Sequence, residues 1–419
     1  MNLPKRTSWF QAIAPGILVA ATGVGAGDLL TASLAGSELG VVIVWAALLG
    51  GVLKFVLNEG LARWQMATDT TLLEGWADRL GRWIQWVFLA YLIVWTFVTA
   101  GALMNACGVA GTGLLPIGSP TQSKIVWGII HSLVGLALVR LGGFRVFEVL
   151  MTVCIGIMFV AVMLTVILIR PDVAAIGRGL LIPTIPEGGG KWILGLVGGV
   201  GGTVTMLSYG YWVRERGRSG ERGMRACRLD LAIGYTMTSL FGVAMVVIGS
   251  RVELAGRGAA VSLVLAEQLS EVLGPFGKWV FLVGFWGAVF SSLLGVWQSV
   301  PYLFADFLTI RRRIPAEERR QIDYKTTPAY RRFQIALAIV PMILLGFQVK
   351  QIQLSYAILG ALFMPLLALT LLILNSRSDW VGRGFRSGWL VNGALVLTLL
   401  FFGYVGASTI YQTFSAGVG

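Results

Sequence analysis

The chain has 419 residues, of which 56% are hydrophobic and 13% are charged. In a typical soluble domain roughly a quarter of all residues are charged, so this composition excludes a soluble globular protein. The formal net charge of +13 is high enough to suggest nucleic-acid binding. The positions of the basic residues in the chain argue against that interpretation.

Eleven apolar stretches reach or approach the ~20 residues that a helix needs to cross a bilayer. In chain order they cover about 13–35, 39–57, 84–107, 125–140, 146–169, 190–212, 230–250, 279–308, 333–348, 352–374 and 387–411. The amphipathic segment 259–273 is expected at the membrane interface. We therefore predict an all-α multi-span membrane protein with a single transmembrane domain, and its main environment is the lipid bilayer.

The basic residues are distributed unevenly between the loops. When loops are assigned alternately to two sides, one side holds about three times as many Lys and Arg residues as the other. The positive-inside rule then predicts a cytoplasmic N terminus, an outside C terminus and a cell-membrane location. No nucleic-acid partner is needed to explain the charge. One further basic residue, Lys54, lies within the second span.

Glycine clusters interrupt the first and sixth spans, at 23–27 and 199–202. Glycine costs about 1 kcal/mol relative to alanine inside a helix, so such clusters indicate backbone that leaves the helix. Unwound backbone is tolerated in a membrane only where it lines a cavity or is buried by protein. A matched pair of interrupted spans is typical of a secondary transporter's substrate site. The alternative is close helix packing through small residues.

Other chemistry is sparse. Cys107, Cys154 and Cys227 are scattered without a CxxC pair, and His131 is alone in the fourth span. These spacings suggest neither a disulfide framework nor a zinc site, and a packing role is the simplest interpretation of the histidine. Since no phosphate-binding loop and no nucleophile–base pair is recognisable, we predict neither ATP-driven pumping, nor an enzyme, nor a cofactor.

Several segments in the first third of the chain are similar to one known family. They are Pro15-Gly16-Ile17-Leu18-Val19, Leu34-Ala35-Gly36 with Gly40, Ala62-Arg63, Ala67-Thr68 and Leu73-Glu74. Together they resemble the Nramp family of divalent-metal transporters, and weaker similarities follow in order to the ninth span. The resemblance implies a leucine-transporter-type fold, a 5+5 inverted repeat with helices 1 and 6 broken. The repeats would cover about 12–170 and 188–375, with an extra helix at about 385–413.

The family's metal-binding motifs are replaced in this chain. The position of the family's DPGN motif holds Gly25-Ala26-Gly27-Asp28, and that of its MPHN motif holds Thr205-Met206-Leu207-Ser208. Tyr356 aligns with the family's metal-contacting glutamine in helix 10. No ligand position therefore keeps its usual residue, and only the scaffold transfers directly.

The replaced positions predict a site made of oxygen ligands. Asp28, Thr205 and Ser208 are the candidate metal ligands, together with freed carbonyls around Gly25 and Gly202. Such ligands suit a hard, largely hydrated cation such as Mg²⁺ better than Mn²⁺ or Fe²⁺. The other candidate substrate-binding residues are Gly27, Met206, Tyr209 and Tyr356. Asp28 has an alternative role, which is to cap the half-helix that starts at Leu29.

The third span contains no acidic residue between Ile84 and Cys107. A proton relay requires ionisable side chains in sequence, so we predict transport without proton coupling. The remaining acids in or near spans are Glu38, Glu59, Glu148, Asp230 and Asp306. Their positions near predicted helix ends suggest solvated or capping roles.

Two further hypotheses remain open besides a divalent-cation carrier. In the first, the chain carries a small organic solute such as an amino acid, whose carboxylate would meet glycine amides at a half-helix N terminus. Tyr209, Tyr211 and Trp212 would then form a wall of the pocket. In the second, the chain is a scaffold or sensor that transports nothing. We expect a monomer in each case.

Overall fold

The computed structural model describes residues 27–199, 201–251, 261–312, 314 and 316–416, and almost all of them are helical. A π-helical turn at Gly27–Thr31 leads into the first α-helix. The helices of the first half that belong to predicted spans are α1 (Ala32–Leu39), α2 (Val44–Thr68), α3 (Arg82–Leu114), α4 (Pro120–Leu141), α5 (Gly143–Leu168) and α6 (Gly190–Gly199). Those of the second half are α7 (Ser208–Glu215), α8 (Gly220–Gly249), α9 (Val261–Arg311), α10 (Pro328–Ile339), α11 (Val349–Ala361), α12 (Phe363–Ser376) and α13 (Trp389–Ala416).

The described residues contain nine helical stretches that are long and apolar enough to cross a membrane. The first, Leu29–Thr68, includes both α1 and α2, and Trp389–Val405 is a shorter apolar helix. Apart from an interruption in the sixth span and a few residues at span ends, the predicted spans coincide with helix in the described residues, and the prediction of an all-α multi-span protein is confirmed. Residues 13–26 of the first predicted span lie outside the described residues.

Local sequence signals explain several helix boundaries. Ser119 accepts a hydrogen bond from the Gln122 amide, and the Gln122 side chain accepts one from the Ser119 amide. With Pro120 at the first helical position, this capping box starts α4. Gly274 has φ 68° and ψ −177° inside α9 and separates its first turns from the long apolar part. This break agrees with the prediction that 259–273 is distinct from the following span.

Helices α1 and α8 approach each other through two glycines. A β-carbon placed on Gly36 would lie 2.2 Å from the Val246 carbonyl oxygen. A β-carbon on Gly249 would lie 2.1 Å from the Ser33 carbonyl oxygen. Because both obstacles are backbone atoms, neither can move aside without shifting a whole helix. The absence of side chains at these positions therefore sets the distance between the two helices.

We expect Gly36→Ala to destabilise the protein, by about 1–3 kcal/mol, since the added methyl group must push α1 away from α8. The measurement is thermal unfolding of the purified protein in detergent. Gly156→Ala in α5 is the matched control, because a β-carbon there meets nothing within 4 Å. Equal midpoints for the two variants would contradict the proposed close packing.

Candidate substrate site between the broken helices

The sixth span is interrupted where the sequence predicts it. Helix α6 ends at Gly199 and α7 begins at Ser208, with a 3₁₀ turn at Val204–Leu207 between them. Gly201 and Gly202 have φ angles of 78° and 80°, a conformation that residues with a side chain rarely adopt. The predicted non-helical segment in this span is confirmed, and its glycines are required by the backbone conformation.

The first predicted break, at the glycine cluster 23–27, lies outside the described residues except for Gly27. Gly25 and the side chain of Asp28 lie outside the described part of the structure. The π-helical turn Gly27–Thr31 packs against α6, α8 and α11. A β-carbon on Gly195 in α6 would lie 3.5 Å from the Thr31 methyl group. The residues that follow the first glycine cluster therefore contact the half-helix that precedes the second one.

The predicted ligands of the sixth span are buried at its break. Thr205 and Met206 lie in the 3₁₀ turn, and Ser208 is the first residue of α7. The hydroxyl groups of Ser208 and of Thr31 have no hydrogen-bond partner among the described residues. Since a buried hydroxyl without a partner costs free energy, both are available to a water molecule or a substrate.

The main feature that the sequence analysis missed is Lys54 on α2. Its side chain is 0% exposed. Its ammonium group donates a hydrogen bond of 2.7 Å to the Gly198 carbonyl and another to the Gly202 carbonyl. Lys54 thus lies across the end of α6 and the start of the break. A lysine within an apolar span was a sufficient signal, because charged residues inside membranes usually have a specific partner.

This contact changes the expected ligand set. The sequence predicts that freed carbonyls around Gly202 face the substrate, whereas the Gly202 carbonyl accepts a hydrogen bond from Lys54. In this conformation the side chains of Thr205 and Ser208 are the remaining predicted oxygens of the sixth span.

Two other polar contacts hold the break in place. The indole of Trp95 on α3 donates a 2.9 Å hydrogen bond to the Thr203 hydroxyl. The amide of Asn58 on α2 donates a 3.1 Å hydrogen bond to the hydroxyl of Tyr235, whose ring lies beside Gly201. The unwound residues are therefore fixed from three neighbouring helices, which favours a preformed site over a disordered loop.

The aromatic residues of α7 are bound to neighbouring helices. The hydroxyl of Tyr209 donates a 2.6 Å hydrogen bond to Asp230, and that of Tyr211 donates one of 2.6 Å to Asp306. The indole of Trp212 donates to Gln298 on α9. In this conformation the polar atoms of these side chains join α7 to α8 and α9. Their predicted role as a pocket wall stays a prediction.

Tyr356 lies on α11 in a small buried cluster with Ala102 and Leu344. One turn before it, Gln353 is fully buried and donates a 2.8 Å hydrogen bond to the Ala102 carbonyl. The side-chain oxygen of Gln353 has no partner among the described residues. The position that the family fills with a glutamine thus has a buried glutamine close by, which the sequence alignment did not single out.

Three of the acids expected to be solvated or capping are buried and paired. Glu59 binds Arg63 and Arg228, and Asp230 binds Arg218 as well as Tyr209. Asp306 accepts hydrogen bonds from hydroxyl groups and is 1% exposed. The expectation of solvated carboxylates is therefore wrong for these residues. Of the other two acids, Glu38 binds Lys350, and the side chain of Glu148 is outside the described part.

Glu74, in the short helix between α2 and α3, belongs to the same group of buried acids. Burial raises its pKa above the ordinary value, and the charge of Asp306 acts in the same direction. The Thr71 amide and the guanidinium groups of Arg214 and Arg319 oppose this shift. The Arg319 side chain lies 3.0 Å from the Glu74 carboxylate. These contacts join loops at one end of the helix bundle.

His131 packs as the sequence suggests. One ring nitrogen lies 2.7 Å from the Trp127 carbonyl, and the other accepts a 2.7 Å hydrogen bond from the Trp286 indole. Both nitrogens are thus used within the protein. In the described ranges, no group of three or more His, Cys, Asp or Glu side chains is placed to hold a metal ion.

Solved structures of known transporters share this arrangement of helices. The manganese transporter of Eremococcus coleocola, in complex with an aromatic bis-isothiourea substituted compound, aligns with a TM-score of 0.75 at 18% identity, covering 100% of this chain and 90% of that chain. MhsT in complex with L-phenylalanine aligns with a TM-score of 0.58 at 13% identity, covering 95% and 100%. The protein is thus a multi-span membrane protein of the leucine-transporter-type fold, as predicted.

Sequence comparison identifies the family. The family model described as natural resistance-associated macrophage protein-like, or Nramp, matches residues 16–412. The divalent metal cation transporter MntH of Chromohalobacter salexigens is 27% identical over 313 residues, which cover 70% of each chain. MntH of Yersinia pestis is 23% identical over 375 residues, covering 81% of this chain and 87% of the relative. The chain belongs to the Nramp family.

Proposed function

We propose that the protein is a secondary membrane transporter that binds a hard divalent cation, such as Mg²⁺, at the paired breaks of its first and sixth spans. The observation that carries the proposal is the broken sixth span, where the buried Ser208 hydroxyl has no described partner. Oxygen ligands and retained water are the preferred environment of Mg²⁺. The relatives named as divalent metal cation transporters support a metal as the substrate class.

We also propose a cell-membrane location with a cytoplasmic N terminus, on the basis of the loop charges. In that orientation, the loops that contain Glu74, Arg218 and Arg319 face the cytoplasm.

A ligand panel tests the substrate proposal. Thermal unfolding of the purified protein is measured with Mg²⁺, Mn²⁺ and Ca²⁺ and with zwitterionic amino acids, because a ligand that binds only the folded form raises the midpoint. Mg²⁺ is expected to stabilise the protein, and Mn²⁺ to do so no better, for want of a sulfur ligand. Stabilisation by amino acids alone would contradict the cation proposal.

Transport is expected to proceed without proton movement. The third span supplies Thr96 and Thr99, whose buried hydroxyls have no described partner, but no carboxylate. Hydroxyl groups of this kind do not titrate near neutral pH and cannot relay protons as carboxylates do. Proteoliposomes with a trapped pH dye should show substrate uptake without acidification. Acidification that follows substrate concentration would contradict this prediction.

A specific observation favours carriage of a small organic anion or zwitterion as the second candidate. The Lys54 ammonium binds the Gly202 carbonyl, and Gly202 precedes Thr205 by three residues in the chain. The positive charge of Lys54 opposes the binding of a divalent cation nearby. The same charge would favour a substrate carboxylate. The amino-acid arm of the panel above decides between the two candidates.

A further inference from the structure

The end of α6 forms a place where a cation is stabilised. The final carbonyls of a helix have no partner within the helix, and they carry the negative end of its dipole. Here Gly201 and Gly202 also lie outside any helix, which frees more carbonyl groups in the interior of the protein. Carbonyls at the ends of broken membrane helices commonly coordinate cations.

Lys54 supplies that cation from within the chain. Its ammonium group donates to carbonyls on both sides of the start of the break, those of Gly198 and Gly202. These residues are 144 and 148 positions away in the sequence. An isolated buried ammonium is very costly, so its burial requires strong partners. In turn, a single charged group holds together the two carbonyl groups, one at the end of α6 and one in the interruption.

We propose that the Lys54 ammonium is a permanent, tethered cation that occupies a carbonyl cation site at the sixth-span break. A carrier with this feature needs no dissolved monovalent cation at that position in order to hold the unwound segment. The site would accept a small ammonium ion or an alkali cation if the lysine were removed. The inference concerns the architecture of the break and does not depend on which substrate is transported.

Thermal unfolding of Lys54→Ala and Lys54→Met tests the proposal without any divalent ion or substrate. Both variants should unfold on the order of 5–10 °C below wild type, because they leave the carbonyls without their cation. Lys54→Met keeps the length of the side chain. An equal loss of stability in Lys54→Met and Lys54→Ala would therefore show that the charge of Lys54, and not the packing of its side chain, stabilises the protein. Lys54→Arg should retain most of the stability, since it keeps a cationic donor.

Chemical rescue identifies the missing group. Adding n-propylammonium to Lys54→Ala should recover about half or more of the lost temperature by mass action, whereas 1-propanol, its neutral counterpart, should not. At constant ionic strength, Na⁺ or K⁺ should also stabilise Lys54→Ala more than choline does. Wild type should respond equally to Na⁺, K⁺ and choline.

Lys124 on α4 provides the matched control. It is 2% exposed and donates a 2.8 Å hydrogen bond to the Phe347 carbonyl, away from the break. Lys124→Ala should lose stability without rescue by propylammonium, because it leaves no carbonyl cluster of a broken helix. Lys54→Met with wild-type stability, or equal effects of propylammonium and propanol on Lys54→Ala, would overturn the proposal. Stabilisation of wild type by Na⁺ or K⁺ over choline would also overturn it. This measurement is made on wild type and does not depend on whether a variant folds.

Discussion

Replacing Asp28 by asparagine is expected to abolish Mg²⁺ binding and leave the fold intact. Asp28 is the one carboxylate that the sequence places at the broken first span, and a doubly charged ion cannot lose its water without a counter-charge. An asparagine caps a helix about as well as an aspartate, so the capping role survives the substitution. The change therefore separates the two roles that the sequence leaves open.

Calorimetric titration of wild type and Asp28→Asn with Mg²⁺ and Mn²⁺ is the measurement, and the affinity for Mg²⁺ should fall at least about hundredfold. Thr205→Ala and Ser208→Ala should each weaken binding by less, because a retained water can replace one neutral oxygen. An Asp28→Asn protein that binds Mg²⁺ as wild type does would exclude the carboxylate as a ligand. If wild type bound neither ion, the organic-solute carrier would become the leading hypothesis.

The second glycine cluster shows which part of the site can be predicted from the sequence. The break at Gly201 and Gly202 was predictable because a local conformational rule applies, since positive φ angles select glycine. The apolar stretches predicted the helices for a similar reason, because a helix that spans a bilayer requires about 20 apolar residues in succession. Both rules depend only on neighbours in the chain.

The partners of charged residues depended on contacts between distant segments and were not predictable. Lys54 entered the sequence analysis only as one more basic residue, and its role became evident from carbonyls more than a hundred residues away. Likewise, Asp306 lies near the end of α9 as predicted, whereas Asp230 lies well inside α8 (Gly220–Gly249) and not near its start. For neither acid does helix periodicity reveal that a tyrosine of α7 binds it. Charges inside an apolar chain mark a specific contact without naming the partner.

One of these contacts joins four separate elements at the predicted cytoplasmic end. Asp306 on α9 accepts hydrogen bonds from the hydroxyls of Tyr211, Tyr324 and Thr71, at 2.6, 2.8 and 3.1 Å. Tyr211 is one turn beyond Ser208 on α7, so the same helix connects this contact to the candidate site. A polar cavity of about 450 Å³ lies alongside, lined in part by Tyr211 and Tyr324. Asp306 therefore joins α7 to α9 and to the segments that carry Tyr324 and Thr71.

We expect Asp306→Ala to lower the free energy of unfolding by about 2–4 kcal/mol, because three buried hydroxyls lose a charged acceptor.

The same change should open a path from the cavity to the site. In a background without Cys107, Cys154 and Cys227, all of which are buried, a Ser208→Cys reporter should react faster with a thiol reagent applied from the cytoplasmic face. Tyr324→Phe is the matched control, since it removes one of the three donors and should produce a smaller effect in both measurements. If the reporter reacted at the same rate with and without Asp306, this contact would be part of the permanent structure, and the cytoplasmic closure would have to lie elsewhere along α7.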